Sequence, residues 1–218
     1  MKEKYKAVFF DFDYTLGDAS ECIVAGFLYA FEQMGLPRPE EEAVRGTIGM
    51  TLENAYTLLT GDERPEERKR FHDLYVEKAN PLQVAGTKFF PGALEILDWL
   101  KGQGVTVAIV STKRRSVIEE IFAYRKIQDK LDFVVGGTDV PNYKPAPDAA
   151  LLALSKANVE AKEALFVGDT VIDAETAKRA GIDFAAVCNG TTPPEAFKEW
   201  PNVYIAADLP ELQSWLEK

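Results

Sequence analysis

Residues 7–10, Ala-Val-Phe-Phe, run directly into Asp11-Phe12-Asp13-Tyr14-Thr15. A short apolar run rich in valine and aromatics suits a buried strand. A strand covered on both faces cannot hold charge in its middle. It can present charge at its carboxyl end, where open α/β sheets place their ligand crevice. Asp11 and Asp13 are therefore expected at the mouth of a site. Alternation along a strand would let both carboxylates reach one ligand or one cation.

The rest of the chain repeats this pattern after an interruption. Residues 18–79 carry helical periodicity only, with no convincing strand. Ile23, Phe27, Ala30, Phe31 and Met34 fall on one helical face that Gly35 ends, and Phe27, Phe31 and Met34 are expected inside the helical block. Thr51 is placed to cap a helix over 52–60 that Gly61 closes, and Pro65 suits the first turn of a helix running to about residue 79. Asn80-Pro81 marks the end of the block. Beyond it, strands at 105–110, 133–135, 164–167, 184–187 and 203–205 alternate with helices at 93–101, 117–124, 148–157, 173–180 and 209–216. Such alternation implies a parallel sheet with right-handed crossovers. The simplest architecture is a discontinuous α/β core, residues 1–15 and 86–218, with an all-helical insertion at 16–85 hanging over the carboxyl end of the first strand.

Several apolar strands end in related polar residues. The first ends at Asp11 and Asp13, the second at Ser111 and Thr112, and a later one at Asp169. Lys144 lies in Asn-Tyr-Lys-Pro-Ala-Pro, where two prolines stiffen the loop. Brought to one sheet edge, these give three carboxylates, a hydroxyl and an ammonium. Carboxylate oxygens suit Mg²⁺, and the ammonium and hydroxyl suit phosphate oxygens. The chain of 218 residues has a net charge of −10, which speaks against nucleic acid and anionic membranes as partners. An anionic substrate would need a local cation to overcome that field. Two distant cysteines, Cys22 and Cys188, are expected as free thiols in a reducing compartment. Residues 1–4 lack an apolar signal stretch and no window approaches a membrane span, so a cytoplasmic protein is expected.

At this point the chain resembles the haloacid dehalogenase-like superfamily. The motifs are Asp11-Phe12-Asp13-Tyr14-Thr15, Ser111 after Ala108-Ile109-Val110, Lys144 in Tyr-Lys-Pro-Ala-Pro-Asp, and Gly168-Asp169-Thr170-Val-Ile-Asp173, in that order. The nearest look-alikes are the phosphoglycolate phosphatase-like and β-phosphoglucomutase-like groups. The resemblance implies an α/β, Rossmann-like parallel sheet with helices on both faces and an inserted helical cap at 16–85. It implies Asp11 as nucleophile and Asp13 as acid/base, its pKa raised by carboxylate crowding. Lys144, Ser111 and Thr112 would bind the phosphoryl group. Mg²⁺ would be held by Asp11, the main-chain carbonyl of Asp13, Asp169 and Asp173. The partner would be a small phosphorylated metabolite, on a monomer or homodimer. One departure stands out: Tyr14 occupies a position where glycine is usual, and its ring is expected to crowd the turn toward the cap.

The leading expectation is a Mg²⁺-dependent phosphatase. A phosphosugar mutase would use the same aspartyl-phosphate, and a silent binding module would keep the fold without the chemistry. Dehalogenation does not need Asp13 as an acid/base. Arg45, Thr47 and Asn54 flank the loop 46–49, from which the resembling groups select substrate, so they are candidate specificity residues. His72, the one histidine, sits among charges and reads as solvated surface. Lys113-Arg114-Arg115 reads as a solvated basic run, with Lys113 close enough to the second motif to attract phosphate.

Overall fold

The computed structural model describes residues 5–218; residues 1–4, including the stretch read above for a signal, lie outside them. Strand β1 (Ala7–Phe10) pairs in parallel with β4 (Thr106–Val110) on one side and β6 (Ala164–Gly168) on the other. With β5 (Phe133–Val135), β7 (Asp183–Val187) and β8 (Tyr204–Ala206), the described residues form a six-stranded parallel sheet of order β5-β4-β1-β6-β7-β8. The direction of winding reverses between β1 and β6, and such a reversal opens a crevice at the carboxyl ends of the two strands.

The strands alternate as a doubly covered sheet requires. Val8 and Phe10, with Val107, Ile109, Leu165 and Val167, face one cluster built on α5 (Ala93–Gly102), α6 (Arg115–Arg125) and α9 (Leu209–Leu216). Ala7 and Phe9, with Ala108, Val110 and Phe166, face the other, built on α7 (Asp148–Ala157) and α8 (Val171–Ala180). Asp11 continues the parity of Ala7 and Phe9, so it leaves the sheet toward α8.

Four helices lie between β1 and α5: α1 (Ser20–Met34), α2 (Glu41–Arg45), α3 (Leu52–Thr60) and α4 (Pro65–Gly86). They make a third apolar cluster of their own. Phe71 is at its centre, with ring contacts to Phe27, Phe31, Tyr56 and Tyr75 at centroid distances of 5.0–6.2 Å. Phe27 and Phe31 are buried and Met34 packs against them, as their spacing predicts. Thr51 caps α3 by accepting from the Asn54 amide, and Gly61 closes that helix in the left-handed region.

Two local expectations fail here. Pro81 does not end α4, which runs through it to Gly86. Phe71, Tyr75, Ala79 and Gln83 bury one continuous face, and Gly26 of α1 lies so close that a Cβ there would fall 2.6 Å from the Ala79 Cβ. This packing outweighs the carbonyl partner that proline removes. The chain also enters and leaves the helical block through a short antiparallel ribbon, β2 (Gly17–Asp18) on β3 (Lys88–Phe89), extended by the Phe90 amide donating to Leu16. Two residues per strand are too few to show a period.

The turn between β1 and the ribbon explains the departure at Tyr14. Amides of Thr15, Leu16 and Gly17 all point at the Phe12 carbonyl, and Tyr14 donates to Gly17. To close this turn Tyr14 takes φ 59°, the left-handed region that glycine enters at no steric cost. The constraint is thus on the backbone rather than on the ring. Tyr14→Gly should stabilise the protein by about 0.5–1 kcal/mol in urea unfolding. Phe71→Ala should destabilise it by about 3–5 kcal/mol in the same measurement.

Candidate active site

Asp11 sits at the end of β1, its amide bonded to the Val167 carbonyl of β6. Asp169 follows β6, and Asp173 lies in the first turn of α8. Lys144 comes from the loop before α7, at a cis Lys144–Pro145 bond. Its Nζ donates to Asp173 Oδ1 at 2.6 Å and lies 3.0 Å from Asp11 Oδ1, an ion-pair distance without hydrogen-bond alignment. The side chains of Lys144, Asp11 and Asp173 are 2%, 2% and 0% exposed. Thr170 caps α8: its hydroxyl and amide both donate to Asp173 Oδ2, at 2.7 and 3.1 Å. Thr15, a member of the first motif to which the sequence assigned no role, donates to Asp169 Oδ1 at 2.9 Å.

Two glycines make room for this cluster. A Cβ on Gly168 would fall 2.4 Å from the Asp173 carboxyl carbon, and one on Gly190 2.1 Å from Asp169 Oδ2. Three carboxylates thus share one ammonium out of water. Burial and the neighbouring carboxylates push the Asp169 pKa well up. Burial also raises Asp173, against the pull of Lys144. The carboxylates in turn hold the Lys144 pKa above its ordinary value, overcoming desolvation.

This is a site short of positive charge, and its donor set fits a divalent cation. Ligand oxygens of Asp11, Asp169 and Asp173 lie within 4.8 Å of one another. Asp11 Oδ1 and Asp169 Oδ2 are buried without a hydrogen-bond partner. Buried carboxylate oxygens left with an ion-pair contact alone, as Asp11 Oδ1, or with no hydrogen-bond partner, as Asp169 Oδ2, are what a hard cation would satisfy.

Asp13 is not in that cluster. The chain has turned by then, and Lys113 grips its carboxylate at 2.7 and 2.9 Å. The Asp13 pKa is raised, chiefly by burial, with Lys113 opposing and Asp11 a smaller contributor. Burial rather than the expected carboxylate crowding is therefore the main cause. Any contact of Asp13 with the cation cluster falls to its main chain. Lys113, taken above for a solvated residue near the second motif, has a side chain only 8% exposed.

Asp13 and Lys113 border a cavity of about 100 Å³ between sheet and helical block, with Thr47, His72, Tyr75 and Gln83 on the opposite wall. Of the three candidate specificity residues only Thr47 reaches it. Arg45 donates to Ser20 Oγ at 2.7 Å, and Asn54 is exposed on α3. Ser111 is buried at the end of β4 and accepts from the Lys113 amide, whereas the Thr112 hydroxyl is committed to the Gly49 carbonyl at 3.1 Å. His72 is not solvated surface: its ring bonds Glu53 and Arg114. These partners are remote in sequence, and periodicity carries no signal for them. Cys22 and Cys188 are both unbridged. Among the described residues, no helix is long and apolar enough to cross a membrane.

The geometry agrees with the chain's kinships. Residues 8–187 match the model of the haloacid dehalogenase-like hydrolase family. A haloacid dehalogenase-like hydrolase from Bacteroides fragilis, of known structure, superposes with a TM-score of 0.92 at 36% identity, covering 95% of this chain and 99% of that one. Phosphoglycolate phosphatase 1 of Pseudomonas aeruginosa is 30% identical over 85% of this chain and 70% of its own. The phosphoglycolate phosphatase of Vibrio parahaemolyticus is 29% identical over 97% and 96%. The chain belongs to the haloacid dehalogenase-like hydrolases, and its kinship there is with the phosphatases of the phosphoglycolate phosphatase-like group.

Proposed function

We propose that the protein is a Mg²⁺-dependent phosphatase acting on a small phosphorylated metabolite, with Asp11 as nucleophile and Asp13 as acid/base. In this account residues 16–85 act as a cap that closes over a core formed by 1–15 and 86–218. The observation that carries it is the separation of the two motif aspartates onto different cations. Asp11 lies with Lys144 in the carboxylate cluster, while Asp13 lies with Lys113 at the floor of the cap cavity. One faces where a phosphoryl group would sit and the other where its leaving group would sit.

The division of labour follows from chemistry. An Asp11 oxygen attacks phosphorus and the bond to the leaving oxygen breaks. Asp13, its pKa raised by burial, gives that oxygen a proton. It then takes a proton from the water that attacks the aspartyl-phosphate, freeing phosphate and restoring Asp11. Lys144, Ser111 and the amides beside it neutralise and orient the phosphoryl oxygens. Asp11, Asp169, Asp173 and the Asp13 carbonyl would hold Mg²⁺, which when bound supplies positive charge to the cluster and the phosphoryl group. Thr15 and Thr170 fix the orientation of Asp169 and Asp173. The cavity excludes water from the leaving group and selects it by shape. The substrate class, phosphoglycolate-like or sugar-phosphate-like, rests on the named relatives.

Asp11→Asn should lower turnover about 10³-fold or more while leaving the unfolding transition intact. Retained turnover in that variant would remove Asp11 as nucleophile. Asp13→Ala should cost about 10²–10⁴-fold on alkyl phosphates but much less on an aryl phosphate, whose leaving group needs no proton. A panel of phosphorylated metabolites assayed with Mg²⁺ should release inorganic phosphate; isomerised sugar phosphate with little free phosphate would assign a mutase instead.

A further inference from the structure

The loop leaving β4 sends consecutive residues to different partners. Ser111 stays at the strand end and Lys113 holds Asp13. Thr112 and Arg114 reach across to the helical block. Thr112 Oγ1 donates to the Gly49 carbonyl, and Arg114 Nη2 lies 2.8 Å from His72 Nε2 on α4. His72 Nδ1 lies 2.7 Å from Glu53 Oε1 on α3. The loop itself is seated on glycines. A Cβ on Gly136 would fall 2.3 Å from the Arg115 nitrogen, and one on Gly137 2.5 Å from the Thr112 oxygen.

The chemistry of the three groups fixes the proton in this bridge. A guanidinium only donates, so Nε2 must present its lone pair. A carboxylate only accepts, so Nδ1 carries the hydrogen. His72 is therefore neutral here, in the Nδ1–H form. A second proton would put an N–H against the guanidinium and abolish the Arg114–His72 contact between core and cap, while the contact with Glu53, within the cap, would persist.

We propose that Thr112, Arg114 and neutral His72 form a clasp that holds the cap shut over Asp13 and keeps Lys113 in register with it. Its members are positioning residues: their bonds run between cap and core, and they act on the reacting groups through Lys113. Protonation of His72 releases the clasp. The titratable and charged groups that share the ring's cavities are Glu53 from α3, Arg68, Lys69, Asp73 and Tyr75 from α4, Lys113 and Arg114 from the loop, Tyr143, and Asp13, which Lys113 holds. Lys69 and Asp73 pair with each other at 2.5 Å, which leaves Glu53 and Arg114 as the ring's direct partners.

The chain's single histidine allows a direct test in the untagged, full-length protein. Nitrogen-15 NMR at neutral pH should show the Nδ1–H form; an Nε2–H ring would overturn the proposal. Spin labels at Glu63→Cys on the cap and Asp129→Cys on the core, with Cys22 and Cys188 replaced by serine, report the cap–core distance. That distance should lengthen with acid in step with the His72 signal. It should be long at every pH in Arg114→Ala and His72→Ala. In His72→Gln it should stay short and insensitive to pH, because a carboxamide oxygen can accept from Arg114 while its NH₂ donates to Glu53. Distances unmoved by Arg114→Ala, or a His72→Gln protein that opens with acid as the parent does, would overturn it. The kinetic arm rests on the phosphatase assignment and the other two do not: His72→Ala should raise KM for an aryl phosphate about tenfold with a smaller change in kcat, and His72→Gln should restore it.

Discussion

Three carboxylates and one ammonium, taken out of water together, set the terms for the rest of this molecule. Removing an ion from water costs several kcal/mol even after relaxation, and one lysine cannot offset three aspartates. The fold nevertheless holds Asp11, Asp169 and Asp173 within ligand distance of one another. It does so by ending two adjacent central strands in aspartate, by capping α8 with Thr170 and Asp173, and by placing Gly168 and Gly190 where any side chain would collide. Asp169 Oδ2, without a hydrogen-bond partner, and Asp11 Oδ1, held only by its ion pair with Lys144, are the residue of that arrangement. A bound cation would resolve it and, in the function proposed above, would supply an electrophilic centre beside Asp11.

A second constraint keeps the two motif aspartates apart. Two residues of extended strand would bring Asp11 and Asp13 to one face and one ligand. The turn through Tyr14 sends Asp13 elsewhere, to Lys113 and the cavity under the helices. The same turn launches the ribbon on which the helical block is hung. The placement of Asp13, the proposed acid/base, and the attachment of the helical block are thus consequences of one short backbone path. The loop after β4 completes the link, since adjacent residues of it hold Asp13 and the helical block.

Much of this was legible in the residues. Strands that end in Asp11, Ser111 and Asp169 announce themselves by apolar runs that stop at a charge or hydroxyl, and the parallel sheet follows from their alternation with helices. Thr51 and Gly61 mark α3 because capping is local chemistry. What escaped depends on distant partners. Pro81 carries a local breaking signal that packing against Gly26 overrides. Lys113, Arg114 and His72 look like solvated charge until the fold brings Asp13 and Glu53 to them. Arg45 and Asn54 flank a loop that lines the cavity, yet helix geometry turns one toward Ser20 and the other to solvent, leaving Thr47 in the cavity. Tyr14 was visible as an exception, but its meaning lay in a φ value that sequence does not display.

If a divalent cation completes the buried carboxylate cluster, thermal unfolding with increasing Mg²⁺ reports it without reference to turnover. A ligand bound by the native state alone adds about 2.7 kcal/mol at a hundredfold excess over Kd, which for a chain of this size raises Tm by about 5–10 °C. Such a rise is expected in the parent protein, and its loss in Asp169→Asn. A parent Tm that stays flat into millimolar Mg²⁺, or an equal rise in the variant, would contradict it.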